Sequence, residues 1–336
     1  MVFRKMLRAL GVGGPAVDTV LANPNCRPGE MLTGEVRVQG GDHDVEIEHI
    51  ALSLVTRVEV ERGDNEFNAT TEFQRLVVAP RFHLAAREQR VIPFQFPVPW
   101  EAPLTHVLGH PLHGMLIGLH TELAVARAVD KSDADPVAIH PLPAQEQVLN
   151  AFAQLGFQFR SADLEAGQIY GVHQELPFYQ EIEFLPPPAY AGRINEVELT
   201  FVTNPHEIVV VLEADKRRGL FRSGGDQFGR FHARLDEAMH IDWVGNINQW
   251  LAQVADMYAA PGFAPGHPAP GMPLAQPGYP PQAYPPPAHP VHGEHHGHRG
   301  PGIGGVVAGA AAGFLGGMIM GEVLDEIGDA FEGEEE

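Results

Sequence analysis

A short basic segment is the first feature of this sequence that could bind a partner. Four of the chain's 22 lysines and arginines lie within seven residues, and two more arginines follow. The segment consists of Lys216, Arg217, Arg218 and Arg222, followed by Arg230 and Arg234. Guanidinium groups bind carboxylates and phosphates through paired hydrogen bonds. We predict that the segment docks an acidic surface, on a protein partner or on the chain's own Glu332 and residues 334–336. A solvated turn is the alternative.

Histidines form a second group that could do chemistry. His106, His110, His113 and His120 lie close together, with Glu122 nearby. Neutral imidazoles at short spacing can hold zinc, so a metal-binding hydrolase that uses the His106–His120 loop is the third functional alternative. Prolines and glycines in this stretch indicate an exposed loop, and strand alternation puts His120 on a polar face. We predict no metal there.

No recognisable catalytic motif is present. The sequence lacks a nucleophile elbow, a phosphate-binding loop and a zinc-binding helix motif. We therefore predict a non-enzymatic protein with no catalytic residue and no cofactor.

A glycine repeat marks the C-terminal region. Residues 300–321 carry no charge, and glycine recurs there every fourth residue, at Gly305, Gly309, Gly313, Gly317 and Gly321. On a helix these glycines would form a smooth stripe that lets a second helix approach closely. Each glycine costs about 1 kcal/mol relative to alanine in a helix, so such a helix needs a partner or a bilayer. Membrane association, self-association or docking, and plain disorder all remain open.

The N-terminus combines apolar and basic residues at helical spacing. Arg4, Lys5 and Arg8 lie between Phe3, Met6, Leu7 and Leu10, and glycines follow directly. The pattern predicts a short amphipathic helix, too short for an export signal. It either packs on its own domain or contacts an anionic membrane or a partner.

Composition narrows the classes of partner. The 43 acidic residues outnumber the 22 basic ones and give a formal charge of −21, which argues against nucleic-acid binding. A single cysteine excludes an internal disulfide framework and suits the cytoplasm, so we predict a cytoplasmic protein. Part of the acidity is local, because eight carboxylates lie in the last fifteen residues.

Strands must position these groups in the central part of the chain. Apolar and polar residues alternate around Leu52, Phe94, Leu119 and Leu199, and residues 208–212 form a continuous apolar run. Prolines next to Phe94 indicate an edge strand. Apolar residues recur at steps of three and four over residues 235–258, which predicts one helix at the end of the folded part. The pattern indicates an all-β fold of two tandem sandwiches.

Composition shifts give the predicted domain boundaries. The proline-, glycine- and histidine-rich stretch cannot form a core and is predicted to be a disordered spacer. We expect a short N-terminal helix (1–14), a first β-sandwich (15–142), a second β-sandwich (143–234), a C-terminal helix packed on the sandwich (235–259), the spacer (260–301), a glycine-zipper-like apolar segment (302–321) and an acidic tail (322–336).

Several stretches resemble the bacterial sporulation-control family of the stage-zero, M type. The resemblance covers roughly residues 1–258 and rests on Gly13, Val17-Asp18-Thr19-Val20-Leu21, Pro28-Gly29-Glu30 with Gly34, Ile50-Ala51-Leu52-Ser53-Leu54, Phe94-Gln95-Phe96-Pro97-Val98-Pro99, Pro103-Leu104-Thr105, Thr121-Glu122-Leu123 and Ala128-Val129-Asp130-Lys131-Ser132-Asp133-Ala134-Asp135. It implies an arrestin-like fold of two β-sandwich lobes. It also implies a regulator of development or cell division that acts through protein contacts. A membrane-associated or self-assembling scaffold, held by residues 302–321, is the alternative function.

Overall fold

The computed structural model describes residues 13–62, 65–128, 130–214 and 229–259. Strands dominate these residues, as the alternating pattern predicts, and the predicted all-β, sandwich-like class is confirmed. In chain order the strands are β1 (Ala16–Leu21), β2 (Asn25–Cys26), β3 (Met31–Gln39), β4 (Val45–Arg62), β5 (Asn65–Ala79), β6 (Phe82–Leu84), β7 (Gln89–Pro97), β8 (His106–Val107), β9 (His110–Pro111), β10 (Ile117–Val125), β11 (Lys131–Pro136), β12 (Ala138–Ile139), β13 (Gln158–Ala166), β14 (Phe178–Leu185), β15 (Val197–Thr203), β16 (Glu207–Ala214) and β17 (Gly229–Arg234). The helices are α1 (Pro143–Leu155), α2 (Leu235–Ala238) and α3 (Trp243–Ala259).

A three-stranded antiparallel sheet, ordered β1-β3-β7, forms one layer of the N-terminal half. Strand β7 lies at the edge of this sheet. Proline has no backbone N–H to donate, and an edge strand can accept Pro93 and Pro97 because its outer side pairs with no other strand of the sheet. The edge position indicated by these prolines is therefore confirmed.

A ten-stranded sheet runs through both halves of the described chain. Its main path is β11-β10-β4-β13-β14-β15-β16-β17, and β5 and β6 also pair with β4. The long strand β4 carries the connection, because it pairs in parallel with β13 where Glu59 faces Glu165. All the other neighbours in this sheet are antiparallel.

The core of the N-terminal half lies between these two sheets. Leu32 and Phe96 of the small sheet belong to the same fully buried cluster as Leu52, Leu54 and Leu119 of the long sheet. The alternation in the sequence identified four of these positions, Leu52, Leu54, Phe96 and Leu119, but not Leu32. Removing a side chain as large as Phe96 from such a core costs about 3–5 kcal/mol.

Polar contacts join the edge of the small sheet to the long one. The backbone N–H of Thr19 on β1 donates to Asp133 Oδ2 on β11 at 2.7 Å. The Thr19 hydroxyl bonds that of Thr121 on β10, also at 2.7 Å. The segment containing Asp133 therefore fixes the position of β1.

Helix α1, at the start of the range expected to be a second sandwich, was not predicted. Pro143 suits its first turn, the Leu142 N–H donates to Gln145 Oε1, and Gly156 ends it with φ +88°. Phe152 stacks on Phe157 and packs 4.8 Å from the Phe184 ring of β14. The helix therefore covers one face of the second-half sheet.

A helix ends the described chain, as predicted, but the prediction of one continuous helix from residue 235 is wrong. The chain forms the short α2 and then begins again at Trp243. The Asp242 carboxylate accepts a hydrogen bond from Gly245 N–H at 2.9 Å and so caps a new helix. The Trp243 indole donates to Ala238 O, which holds the two segments together.

The predicted domain boundaries stay predictions. The expected boundary between residues 142 and 143 coincides with the start of α1. The spacer (260–301), the glycine segment (302–321) and the acidic tail (322–336) lie outside the described residues, as does nearly all of the N-terminal helix segment.

Candidate functional site

The predicted docking segment connects β16 to β17. Residues 215–228, with Lys216, Arg217, Arg218 and Arg222, lie outside the described part of the chain, but both of its ends are defined. The segment leaves the sheet after Ala214 and returns at Gly229. The other predicted surfaces, Arg4, Lys5 and Arg8 and the five repeating glycines, also lie beyond the described residues.

Arg230, directly after this segment, holds a neighbouring loop. Its Nη2 donates to Tyr170 O at 2.6 Å. Arg234, four residues later, pairs with Asp236, whose Oδ1 lies 3.1 Å from Nε. The two described arginines thus have partners on their own chain.

The loop that Arg230 contacts is braced from inside. Gln174 donates from Nε2 to Gly167 O, Leu176 O and Phe178 O, while its Oε1 accepts from Ile169 N–H. Such a satisfied buried amide fixes backbone geometry. Tyr170 at the tip is 71% exposed.

Glu101 binds the same loop from the N-terminal half. Its carboxylate accepts hydrogen bonds from Glu175 N–H and Leu176 N–H at 2.8–2.9 Å. Burial is the largest influence on the carboxyl and raises its pKa, against the lowering effect of these N–H donors. The loop is therefore held near its tip by Arg230 and at its C-terminal end by Glu101.

Carboxylates line the sheet face that lies opposite α1. Asp163 of β13 faces Glu181 of β14, Glu183 faces Glu198 of β15, and Glu198 faces Glu213 of β16. Glu181 and Glu198 are almost fully buried, at 2% and 3% exposure. We name Asp163, Glu181, Glu183, Glu198 and Glu213 the acidic face.

Two residues of the acidic face, Asp163 and Glu181, meet a third carboxylate, Glu165, at one end of the sheet. Oxygen atoms of Asp163, Glu165 and Glu181 lie within 4.8 Å of one another, the closest such group among the described residues. Acidic groups at this spacing are common without a metal ion, and no metal site is assigned. Tyr179 donates to Glu165 Oε2 at 3.1 Å, and burial together with the nearby carboxylates raises its pKa.

The acidic face was missed by sequence reasoning. Its carboxylates come from four strands spread over about 50 residues, so no local run of acids marks them. Like charges on neighbouring strands destabilise a sheet, which favours nearby cations. Glu213 lies two residues before the basic segment begins. The end of the segment at Ala214 therefore lies next to the acidic face.

The four histidines form no ligand group among the described residues. His110 and His113 are exposed, as predicted, and the His106 ring packs against His140 at a tilt, with ring centroids 4.7 Å apart. His120 faces Ser53 of β4 and lies near Glu122 and Glu72, on the polar face that the alternation predicts, but it is buried and not exposed. It is 6% exposed, because β10 is covered on both faces, and both its ring nitrogens lack hydrogen-bond partners within the described chain.

The described helices include none long and apolar enough to cross a membrane.

Comparison with known proteins identifies the family. A family model described as SpoOM protein matches residues 3–218, well over half of the chain. The chain belongs to the Spo0M family.

Individual Spo0M relatives agree over most of the chain. The sporulation-control protein spo0M of Bacillus subtilis (strain 168) is 29% identical over 265 residues, which span 76% of this chain and 98% of the relative. The crystal structure of Spo0M from Bacillus subtilis superposes with a TM-score of 0.64 at 29% identity, covering 74% of this chain and all of the other. The resemblance noted in the sequence is thus confirmed.

Proposed function

We propose that this Spo0M-family chain is a non-enzymatic cytoplasmic regulator of sporulation or a related developmental process, acting through protein contacts. The observation that carries the proposal is the match over 98% of the length of a sporulation-control protein. The histidine arrangement supports no hydrolase, because the predicted ligands do not converge among the described residues.

The basic segment is the proposed contact surface. Lys216, Arg217, Arg218 and Arg222 lie between two adjacent strands, so a segment of fourteen residues is held at both ends by a rigid sheet. We propose that it docks an acidic surface of a protein partner. The chain's own acidic tail (322–336) is the competing ligand. Because exposed ion pairs are screened over about 8–10 Å, either contact should weaken with salt.

Charge reversal tests the proposal. The full-length chain and a Lys216→Glu/Arg217→Glu/Arg218→Glu variant are each used as bait, and the partner proteins that they capture from a lysate of the native host are quantified. A matched control reverses three exposed arginines elsewhere: Arg37, Arg81 and Arg193. We expect the test variant alone to lose specific partners by about tenfold, about 1.4 kcal/mol of binding free energy. Equal capture by all three proteins overturns the assignment of this segment.

Deleting residues 322–336 separates the two ligands. If the tail occupies the basic segment, partner capture rises at low salt in the truncated chain. If capture is unchanged, the docking of the tail is refuted, whereas partner binding still stands on the charge-reversal result.

A membrane-associated or self-assembling scaffold is the alternative function. It rests on the four-residue glycine repeat from Gly305 to Gly321. Fractionation of full-length protein against a chain ending at Ala260 distinguishes the two. Tail-dependent sedimentation with membranes, or tail-dependent oligomers in size-exclusion chromatography, supports the scaffold; identical soluble monomers exclude it.

A further inference from the structure

The outermost strand of the long sheet, β17, has a free edge. Among the described residues it ends the order of this sheet and pairs only with β16. A free edge presents unpaired backbone N–H and C=O groups, to which another extended chain can bind. The proposed function uses the basic segment that precedes β17, and it leaves this edge without a role.

The strand register identifies the backbone groups that point outward. The N–H of Leu235, directly after β17, donates to the carbonyl of His206, directly before β16, at 2.9 Å. Successive residues of a strand direct their backbone groups to opposite sides. The residues whose N–H and C=O groups point away from β16 are therefore Arg230, His232 and Arg234.

The edge of β17 is accessible. Arg230, His232 and Arg234 are all exposed, and within the described part of the chain no backbone hydrogen bond joins their outward groups to another element. Sheet edges are commonly protected by a proline or by a β-bulge. Strand β17 contains no proline and pairs with β16 without a register shift. The edge is therefore able to accept a further strand.

Basic side chains alternate along this edge. Arg230 donates to the carbonyl of Tyr170, a neutral group, so its positive charge is left for an incoming carboxylate. Arg234 uses Nε for Asp236, and a guanidinium has four further N–H donors. Opposite charges on neighbouring strands stabilise their pairing. The edge therefore favours a strand that carries acidic residues at alternate positions.

The opposite side of β17 packs on α3. The Phe231 ring lies edge-on to Trp243, with ring centroids 5.8 Å apart, and Ala233 is buried. Gly229 lies so close to the Trp250 indole that an added Cβ would overlap it. These contacts hold the strand in place, so binding at its edge requires no prior ordering of β17.

We propose that β17 binds an extended acidic segment of the protein partner by strand addition. In this mode of recognition the main-chain hydrogen bonds supply affinity, and alternate side chains supply specificity. The acidic residues of the added strand lie opposite Arg230, His232 and Arg234. The inference rests on the proposed function for the acidic character of the partner, because β17 directly follows the basic segment.

Synthetic peptides test strand addition on the full-length chain. The probe is a short fluorescent peptide that alternates glutamate and threonine, and its binding is measured by fluorescence anisotropy. With the glutamates opposite the basic residues, the glutamate N–H groups bond β17 and the threonine N–H groups point to solvent. We expect N-methylation of the glutamates to weaken binding about tenfold, and N-methylation of the threonines to change it little. Equal effects of the two modifications overturn the proposal.

A proline in β17 tests the same bonds from the side of the protein. Because the N–H of His232 points outward, His232→Pro removes one donor of the edge and keeps the hydrogen bonds to β16. His232→Ala is the matched control. We expect the proline variant alone to lose peptide affinity, by about tenfold, while both variants unfold at similar urea concentrations. Parent-like peptide binding by both variants contradicts strand addition.

The Lys216→Glu/Arg217→Glu/Arg218→Glu variant separates this inference from the proposed function. If the proposed function fails, that variant still captures the partner normally. If strand addition fails, the peptide binds equally well with and without glutamate N-methylation. Dimers that His232→Pro abolishes would assign the edge to a second copy, and a rise in peptide affinity after deletion of residues 322–336 would assign it to the acidic tail. Both of those outcomes contradict the proposal.

Discussion

The side-chain amide of Gln180 forms hydrogen bonds with both backbone groups of Leu104. Its Oε1 accepts from Leu104 N–H at 2.9 Å and its Nε2 donates to Leu104 O at 2.8 Å. Both residues are buried. The segment that follows β7 in the N-terminal half is thereby tied to β14 in the second half. A single glutamine thus replaces the strand partner that Leu104 lacks.

Replacing Gln180 with leucine should destabilise the fold strongly. The change keeps the volume but leaves the Leu104 N–H and C=O buried without partners, at about 1–3 kcal/mol each. We expect the free energy of unfolding in urea to fall by about 2–4 kcal/mol. Gln95→Leu, at an exposed position of β7, is the control and should have little effect. A loss for Gln180→Leu no larger than that of the control would contradict the role of this contact.

Gly29 should tolerate no side chain. Its φ is +78°, and an added Cβ would overlap the Trp100 indole. Gly109 has a similar φ of +83° with nothing near its Cβ position, so Gly109→Ala measures the backbone strain alone. We expect Gly29→Ala to cost about 1–3 kcal/mol more in chemical denaturation, from overpacking. Equal losses in the two variants would mean that Trp100 moves aside freely.

Burial lowers the pKa of His120 and should make stability fall in acid. The neighbouring Glu122 and Glu72 raise this pKa, and Arg75 lowers it, but burial is the largest influence. Above pH 6.5, the ordinary pKa of histidine, the His120 imidazole is neutral in both the folded and the unfolded state, so it does not reduce the free energy of unfolding. As the pH falls below that value, the unfolded state binds the proton first, so the free energy of unfolding decreases.

His120→Leu should remove part of this dependence. Because both ring nitrogens lack partners in the described chain, the change should also raise stability at pH 7 by about 1 kcal/mol. Urea midpoints at pH 7.5 and 5.5 test both points, with the exposed His110→Gln as control. A variant less stable than the parent at pH 7 would refute the account.

Cys26 should be unreactive in the folded protein. It is buried, and burial, with a smaller effect of Glu30, raises its pKa to about 12. The thiolate required for reaction is therefore almost absent at pH 8. We expect a disulfide exchange reagent to modify Cys26 only in denaturing urea. Stoichiometric modification of native protein within minutes would show that the thiol is accessible.

The sequence predicted the strands well because their alternation follows burial directly. Leu52, Phe94, Leu119 and Leu199 are all buried, and Pro93 lies on an edge strand. It failed where a second layer covers a strand. His120 alternates with apolar residues as an exposed side chain would, yet β10 is covered on both faces.

Helix α1 and the acidic face escaped prediction for different reasons. Pro143, Gln145 and Gly156 are local helix signals, and they could have identified α1. Strand register alone brings together the carboxylates of Asp163, Glu181, Glu198 and Glu213, and no local pattern in the sequence reveals that register. The environment of the basic segment was therefore invisible from the sequence, although its own residues were evident.

The most direct test is binding of an identified native partner as a function of salt. Three proteins are compared: the parent chain, the Lys216→Glu/Arg217→Glu/Arg218→Glu variant and the control with Arg37, Arg81 and Arg193 reversed. Their affinities are measured from about 50 to about 300 mM salt, because the screening length falls to a few ångströms at the upper end of this range. The account predicts that only the segment variant binds about tenfold more weakly at low salt, and that its affinity loses most of its salt dependence. Identical affinities and salt slopes for all three proteins would contradict it.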